Sequence, residues 1–337
     1  MKISDKINTL QVLGKKITNF DDPELKTAIN NAYFENNWFS FENIKKAITN
    51  IGQWLNKDVL NTWLDQYHIN EKPSNKKVGI IMAGNIPLVN LHDVICCFLS
   101  GNIAICKLSG KDQILMNHIL DLLYTIEPKT RSLIYIKEQL NDIDAIIATG
   151  SDNSFRYFDY YFGKYPHIFR KNRNSIAILS GDETPEDYKL LGKDIFDYYG
   201  LGCRNVSKVF LPKGYKVSTF MDNISSFNHV IENNKYKNNF DYNLSIYLLN
   251  KEKHWHNDFL IMKESNYIAS PCAVLFFEFY ENISALEKRL YKDKDKIQCL
   301  VSNEKCFDKP IPYGKTQEPK VSDYPDNIDT MDFLINI

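Results

Sequence analysis

Four short stretches of this 337-residue chain carry side chains that do chemistry. In "DYYGLGCRNVSKVFL", residues 197–211, Cys203 follows two glycines and precedes an arginine at the head of a strand-like run. A thiolate there is an acyl-transfer nucleophile, whereas a protonated cysteine in a turn is a small apolar filler. In "MAGNIPLVN", residues 82–90, Asn85 ends an apolar run. An amide at a strand's carboxyl end donates to a developing oxyanion, or it serves a turn. In "CKLSGKD", residues 106–112, Lys107 and Lys111 flank Ser109 and Gly110. These lysines either hold a ribose or phosphate or are solvated loop residues. In "ATGSDNS", residues 148–154, a strand closes on Gly150 and Ser151 and a helix opens. Glycine allows close backbone approach, serine caps the helix, and the first N–H groups take a phosphate, although Gly-Ser before a helix is common. The glycine-rich dinucleotide fingerprint and the P-loop are both absent.

The segments that must position these residues alternate in type. Residues 1–76 read as a polar helical region, with Asp22 and Pro23 as N-cap and first helical residue. From Lys77 on, "VGIIMAG", "IAICKLS", "DAIIATG" and "SIAIL" read as buried strands. Between them lie the helical runs "LVNLHDVICCFLSG", closed by Gly101, "QILMNHILDLLYTI" and "SDNSFRYFDYYF". A fourth, "PEDYKLLGKDIFDYYG", runs directly into the Cys203 turn. Strand–helix alternation predicts a parallel sheet covered on both faces. Beyond residue 205, "VSKVFLP", "LSIYLLN", "AVLFFEFY" and "KIQCLVS" read as strands of a second α/β unit, with "NISALEKRLYKD" as a helix. The tail from Pro312 is turn-rich and is expected to end in a short apolar strand.

Composition narrows the function classes. A net charge of −1 gives no electrostatic case for nucleic acid or an anionic membrane surface. No apolar run reaches bilayer length, and the N-terminal residues lack a signal-peptide core, so a cytoplasmic protein is expected. Seven cysteines without a paired framework fit a reducing compartment. Cys96, Cys97 and Cys106 lie in apolar runs, and Cys272, Cys299 and Cys306 lack a polar constellation. No metal is expected: CxxC is absent, and His254 and His256 of "HWH" have no third ligand in view.

In order and spacing the four stretches resemble the aldehyde dehydrogenase superfamily, and more closely the LuxC-type fatty acyl-CoA reductases, over roughly residues 77–337. "GNIPL" is similar to the segment that carries the family's oxyanion asparagine, which puts Asn85 in that role. "CKLSG" is similar to the "KPS" strand end, implying Lys107, Ser109, Gly110 and Lys111 at the cofactor. "ATGS" is similar to the pyrophosphate turn, implying Gly150 and Ser151, and "GLGC" places Cys203 as nucleophile. The "YGKTQ" and "DYPDNIDTMDFLI" stretches of the tail are also LuxC-like. The resemblance implies an aldehyde-dehydrogenase-like α/β fold: a Rossmann-type cofactor domain over 77–180 with the helical region 1–76 packed on it, a catalytic domain over 181–307, and a C-terminal oligomerisation segment over 308–337.

Three departures from that pattern bear on chemistry. Where hydrolytic relatives carry the glutamate that activates water, "FRKNRNS" offers Arg170 or Lys171, so an acyl-enzyme would await hydride rather than hydrolyse. Where NAD-preferring relatives carry an acidic residue, this chain has Gly110 and Lys111, which admit a 2′-phosphate and favour NADPH. Where many relatives hold the nicotinamide ribose with a glutamate, "YIASP" offers Tyr267. The expected activity is NADPH-dependent reduction of a long-chain acyl-CoA or acyl thioester to the aldehyde through an acyl-cysteine. The thiol would be activated with help from Arg204. The alternatives are a non-redox acyl carrier or transferase subunit, and a cofactor-binding subunit without catalysis. By the same resemblance, a homo-oligomer and an acyl-protein synthetase partner are expected, with the tail extending a sheet across subunits.

Overall fold

The computed structural model describes residues 1–70, 74–304 and 306–337. The stretch 71–73, inside the expected helical region 1–76, lies outside the described residues. Two units emerge: Met1–Asn172 with the returning Pro319–Ile337, and Arg173–Glu318.

The first unit opens with α1 (Ile3–Ile17), α2 (Pro23–Glu35), α3 (Phe41–Trp54) and α4 (Lys57–Leu64). Side-chain caps start three of these helices. Asp22 accepts the Glu24 and Leu25 N–H groups with Pro23 at the first position, Ser40 accepts Asn43, and Asn56 accepts Asp58 and Val59. Then come β1 (Lys77–Ile81), α5 (Leu91–Ser100), β2 (Ile103–Lys107), α6 (Gln113–Ile126), β3 (Ile134–Ile136), β4 (Ala145–Thr149), α7 (Asp152–Phe162) and β5 (His167–Arg170). Gly101 ends α5 in the left-handed conformation, φ 90°. The strands form one parallel sheet ordered β3-β2-β1-β4-β5. Alternate side chains of a strand point to opposite faces, and both faces are covered. Val78, Ile80 and Ile147 join the large helical core, while Ile105, Ile146 and Ala148 pack on the other face with Phe158 and Phe162 of α7.

In the second unit lie β6 (Asn174–Ile178), α8 (Pro185–Phe196), β7 (Val206–Pro212), α9 (Val217–Asn223), α10 (Asn234–Leu249), β8 (Trp255–His256), β9 (Ile261–Glu264), β10 (Val274–Tyr280), α11 (Ile283–Tyr291) and β11 (Ile297–Val301). Their order is β11-β6-β7-β10-β9-β8, parallel except for the β8/β9 pair. Two sequence expectations are corrected. "LSIYLLN" is helical, inside α10, because Tyr236, Phe240, Asn243 and Tyr247 recur at helical spacing and form the buried face while Leu248 and Leu249 are exposed. The chain ends in helix α12 (Thr330–Ile335) rather than a strand, with Met331 and Leu334 buried one turn apart and the Leu334 carbonyl accepting from Asn102 of the same unit.

One ion pair ties the first unit together. Arg170, the last residue of β5, donates twice to Asp93 of α5, at 2.6 and 2.7 Å, and once to the Thr330 hydroxyl of α12 at 3.1 Å. The two side chains are 5% and 1% exposed. Burial alone would push the Asp93 carboxyl up, but the Arg170 guanidinium overrides it and holds Asp93 below the ordinary carboxylate range. Asn90 extends the group, donating to Asp93 and to the Thr149 hydroxyl and accepting from the Ala83 N–H. Removing one partner of such a pair strands a buried charge, so Arg170→Met should cost about 3–5 kcal/mol in urea unfolding, and adding Asp93→Leu should recover part of that. A double variant that loses the full sum of the two single costs would contradict the coupling.

Candidate active site

Three of the four chemically suggestive stretches meet in the first unit, at the carboxyl ends of β1, β2 and β4. The chain crosses from β1 to β2 on one side and takes up β4 on the other, so the ends of β1 and β4 flank a topological switch point, where open parallel sheets bind ligands. Residues 82–90 leave β1 and carry Asn85, which is exposed. They lie directly against the 107–112 turn. A Cβ on Gly84 would stand 2.5 Å from the Ser109 Oγ and 2.8 Å from the Lys111 Cβ, so only glycine permits this approach. Lys107 ends β2 with its side chain exposed, and Lys111 is exposed beyond it. Gly110 differs from Gly84: nothing lies within 4 Å of a Cβ built there.

The third stretch opens α7. Gly150 lets the helix close down on the strand end, since an added Cβ would meet Phe158 and Ser154 at 2.9 Å. Ser151 is the N-cap, accepting the Ser154 N–H at 3.4 Å. An 11-residue helix starting at a strand's carboxyl end, with exposed Lys107 at the end of β2 and exposed Lys111 in the turn after it, is an arrangement that can take the phosphates of a dinucleotide. Among the described residues no group of three or more His, Cys, Asp or Glu side chains is arranged to hold a metal ion.

Cys203 belongs to the second unit and is half-buried, in no disulfide. The chain reaches it through Tyr198 and Tyr199, both left-handed at φ 53° and 56°, and Gly200 at φ 74°. Left-handed tyrosines are strained, and such strain persists only where surrounding contacts enforce it. The enforcing contacts are visible. The Asn205 amide lies 3.1, 3.4 and 2.8 Å from the Asp194, Ile195 and Asp197 carbonyls at the end of α8, and its Oδ1 accepts the Gly202 N–H at 2.8 Å. Ser175 of β6 donates its hydroxyl to the Cys203 carbonyl at 3.1 Å and its N–H to the Asn205 carbonyl. Arg204 donates through Nε to the Thr316 carbonyl at 2.6 Å. Asp194 accepts Gly314 N–H, Thr316 N–H and the Thr316 hydroxyl, which fastens "YGKTQ" to the helix that delivers the cysteine. Burial pushes the Asp194 carboxyl up to about 6 against those three donors.

Asn205, Ser175, Asp194 and Thr316 were not foreseen from the sequence, although Asn205 and Thr316 sit inside stretches already singled out. Arg170 and Lys171, which stand where the resemblance expects a base, are a buried paired cation and an exposed ammonium 4.3 Å over the Phe155 ring. Tyr267 is 77% exposed. Buried Cys96, Cys97 and Cys106 have thiols pushed up by burial, the state of unreactive core cysteines.

No family model matches this sequence, and no curated protein is similar to it in sequence. Solved structures do match its fold. The Physcomitrella patens aldehyde dehydrogenase 21, in complex with the product succinate, superposes with a TM-score of 0.71 over 100% of this chain and 84% of that one, at 10% identity. The Mycobacterium tuberculosis aldehyde dehydrogenase complexed with NAD+ gives 0.67 over 90% and 73% at 11% identity. An Escherichia coli NADP-dependent enzyme gives 0.66 over 96% and 85% at 9% identity. The fold is therefore aldehyde-dehydrogenase-like, with a Rossmann-type parallel sheet in one unit and a second, mixed sheet in the other. Among the described residues no helix is long and apolar enough to cross a membrane.

Proposed function

We propose that this protein is a nicotinamide-dependent oxidoreductase that reduces a fatty acyl-CoA, or an acyl group delivered by a synthetase partner, to the aldehyde. The observation that carries this reading is the Arg170–Asp93 pair: of Arg170 and Lys171, which the resemblance sets where hydrolytic relatives carry the water-activating glutamate, neither is a carboxylate, and Arg170 is committed to an ion pair. Cys203 attacks the thioester carbonyl, the carbon–sulfur bond to coenzyme A breaks, and the acyl group rests on the Cys203 sulfur. By the resemblance, the Asn85 amide and the Cys203 N–H each have the role of oxyanion donor, such a donor being worth about 3 kcal/mol. Gly150, Ser151, Lys107 and Ser109 are the residues that would hold the dinucleotide, which when bound supplies hydride for the acyl carbon. Without a base to activate water, Cys203 keeps the acyl group until it is reduced, and its sulfur then leaves as thiolate.

NADPH oxidation that depends on a long-chain acyl-CoA should be measurable for the wild type and fall at least about 1000-fold in Cys203→Ala. Turnover that survives in Cys203→Ala would overturn the nucleophile assignment, and acyl transfer without NADPH consumption would identify a carrier instead.

The preference for NADPH rests on Gly110 and Lys111. Because a Cβ at Gly110 meets no atom within 4 Å, Gly110→Glu should fold normally, and it would place a carboxylate against a 2′-phosphate. The ratio of kcat/KM for NADPH over NADH should drop roughly tenfold or more, about 1.4 kcal/mol. An unchanged ratio would put the 2′-phosphate elsewhere.

A further inference from the structure

The loop that carries Asn85 is pinned at two points. One is Asn90, whose Oδ1 takes the Ala83 N–H at 2.7 Å. The other is Leu88, which is left-handed at φ 57° and donates its N–H to Asp112 Oδ2 at 2.6 Å. Asp112 is only 5% exposed and stands as the residue before α6, yet its side chain gives that helix no capping bond. Its Oδ1 has no hydrogen-bond partner. A carboxyl that forgoes the helix N–H groups and leaves one oxygen orphaned in the interior is costly, and α6 would be better served by a cap. The other oxygen explains its presence, because it holds a strained leucine in a conformation that side chains rarely adopt. Burial pushes the Asp112 carboxyl well above the ordinary range despite the Leu88 N–H.

The turn on which Asp112 stands is itself fixed. The Asp112 N–H donates to the Ser109 carbonyl at 3.0 Å, Asn36 donates to the Lys111 carbonyl at 3.2 Å, and Gly84 lies against Ser109 and Lys111. The two loops are thus joined by the Leu88–Asp112 bond, by the Met82 N–H to the Lys107 carbonyl at 3.1 Å, and by the packing of Gly84.

We propose that Asp112 is a positioning residue: through the Leu88 N–H it sets the backbone on which Asn85 is carried, and it couples that loop to the Ser109–Lys111 turn. The proposal rests on the assignment of Asn85 as oxyanion donor made above. Kinetics of the full chain test it with Asp112→Ala, Asp112→Asn, Asn85→Ala and the double variant Asn85→Ala/Asp112→Ala. Asp112→Ala should lower kcat roughly 10- to 100-fold with KM for NADPH within about twofold of wild type. Asp112→Asn keeps an acceptor for Leu88 and should restore most of kcat, and in the Asn85→Ala background Asp112→Ala should add little. An equal loss in both backgrounds, a change confined to KM, or an Asp112→Asn as impaired as Asp112→Ala would overturn it. Amide hydrogen exchange over residues 83–90 gives a readout independent of turnover. Faster exchange in Asp112→Ala that Asp112→Asn reverses supports the positioning role even if the wild type proves inactive on acyl-CoA, and unchanged exchange refutes it.

Discussion

The first unit depends on a charge that cannot be left alone. Arg170 and Asp93 are both removed from water, and each is tolerable only because the other is within hydrogen-bond reach in a two-pronged geometry. Three elements converge on that requirement, with β5 supplying the arginine, α5 the aspartate and α12 the Thr330 hydroxyl, and Asn90 joins Asp93 to Thr149 at the end of β4 and to Ala83 after β1. The strand ends that carry Asn85 and Gly150 are thereby held to one scaffold.

In the second unit the constraint is conformational. Two left-handed tyrosines and a left-handed glycine turn the chain from α8 toward Cys203, at about 1–3 kcal/mol for each strained non-glycine residue. Asn205 offsets this strain by satisfying carbonyls that the end of α8 would otherwise leave without partners, and Ser175 and Thr316 fix the turn from β6 and from the returning chain. Rigid support of this kind suits the nucleophile proposed at Cys203, because a displacement of about 1 Å costs a large factor in rate.

Much of this was legible in the sequence because the signals are local. Apolar runs at strand length alternating with helical periodicity gave the order of β1, α5, β2, α6, β4, α7, β6 and α8, while Asp22-Pro23 marked the start of α2 and Gly101 the end of α5. Where hydrophobicity alone was the guide it misled: "LSIYLLN" has a β-like composition, but its buried positions follow a helical period set by residues before it, and Leu248 and Leu249 face outward. β5 is only four residues long and went unread, although it delivers Arg170. The partners of Arg170, Asn205 and Asp112 lie 77, 8–11 and 24 positions away, and no local pattern announces such pairings. Beyond those few elements, tertiary hydrogen bonding was what the sequence concealed.

The central claim is that Cys203 holds an acyl group that water does not remove. Intact-protein mass spectrometry after mixing the full chain with a long-chain acyl-CoA, without and then with NADPH, tests it most directly. The account predicts one acyl adduct, mapped to Cys203, that persists in buffer and disappears on addition of NADPH with release of one equivalent of aldehyde. No adduct, an adduct on another cysteine, or an adduct that decays to free fatty acid before NADPH is added would contradict it.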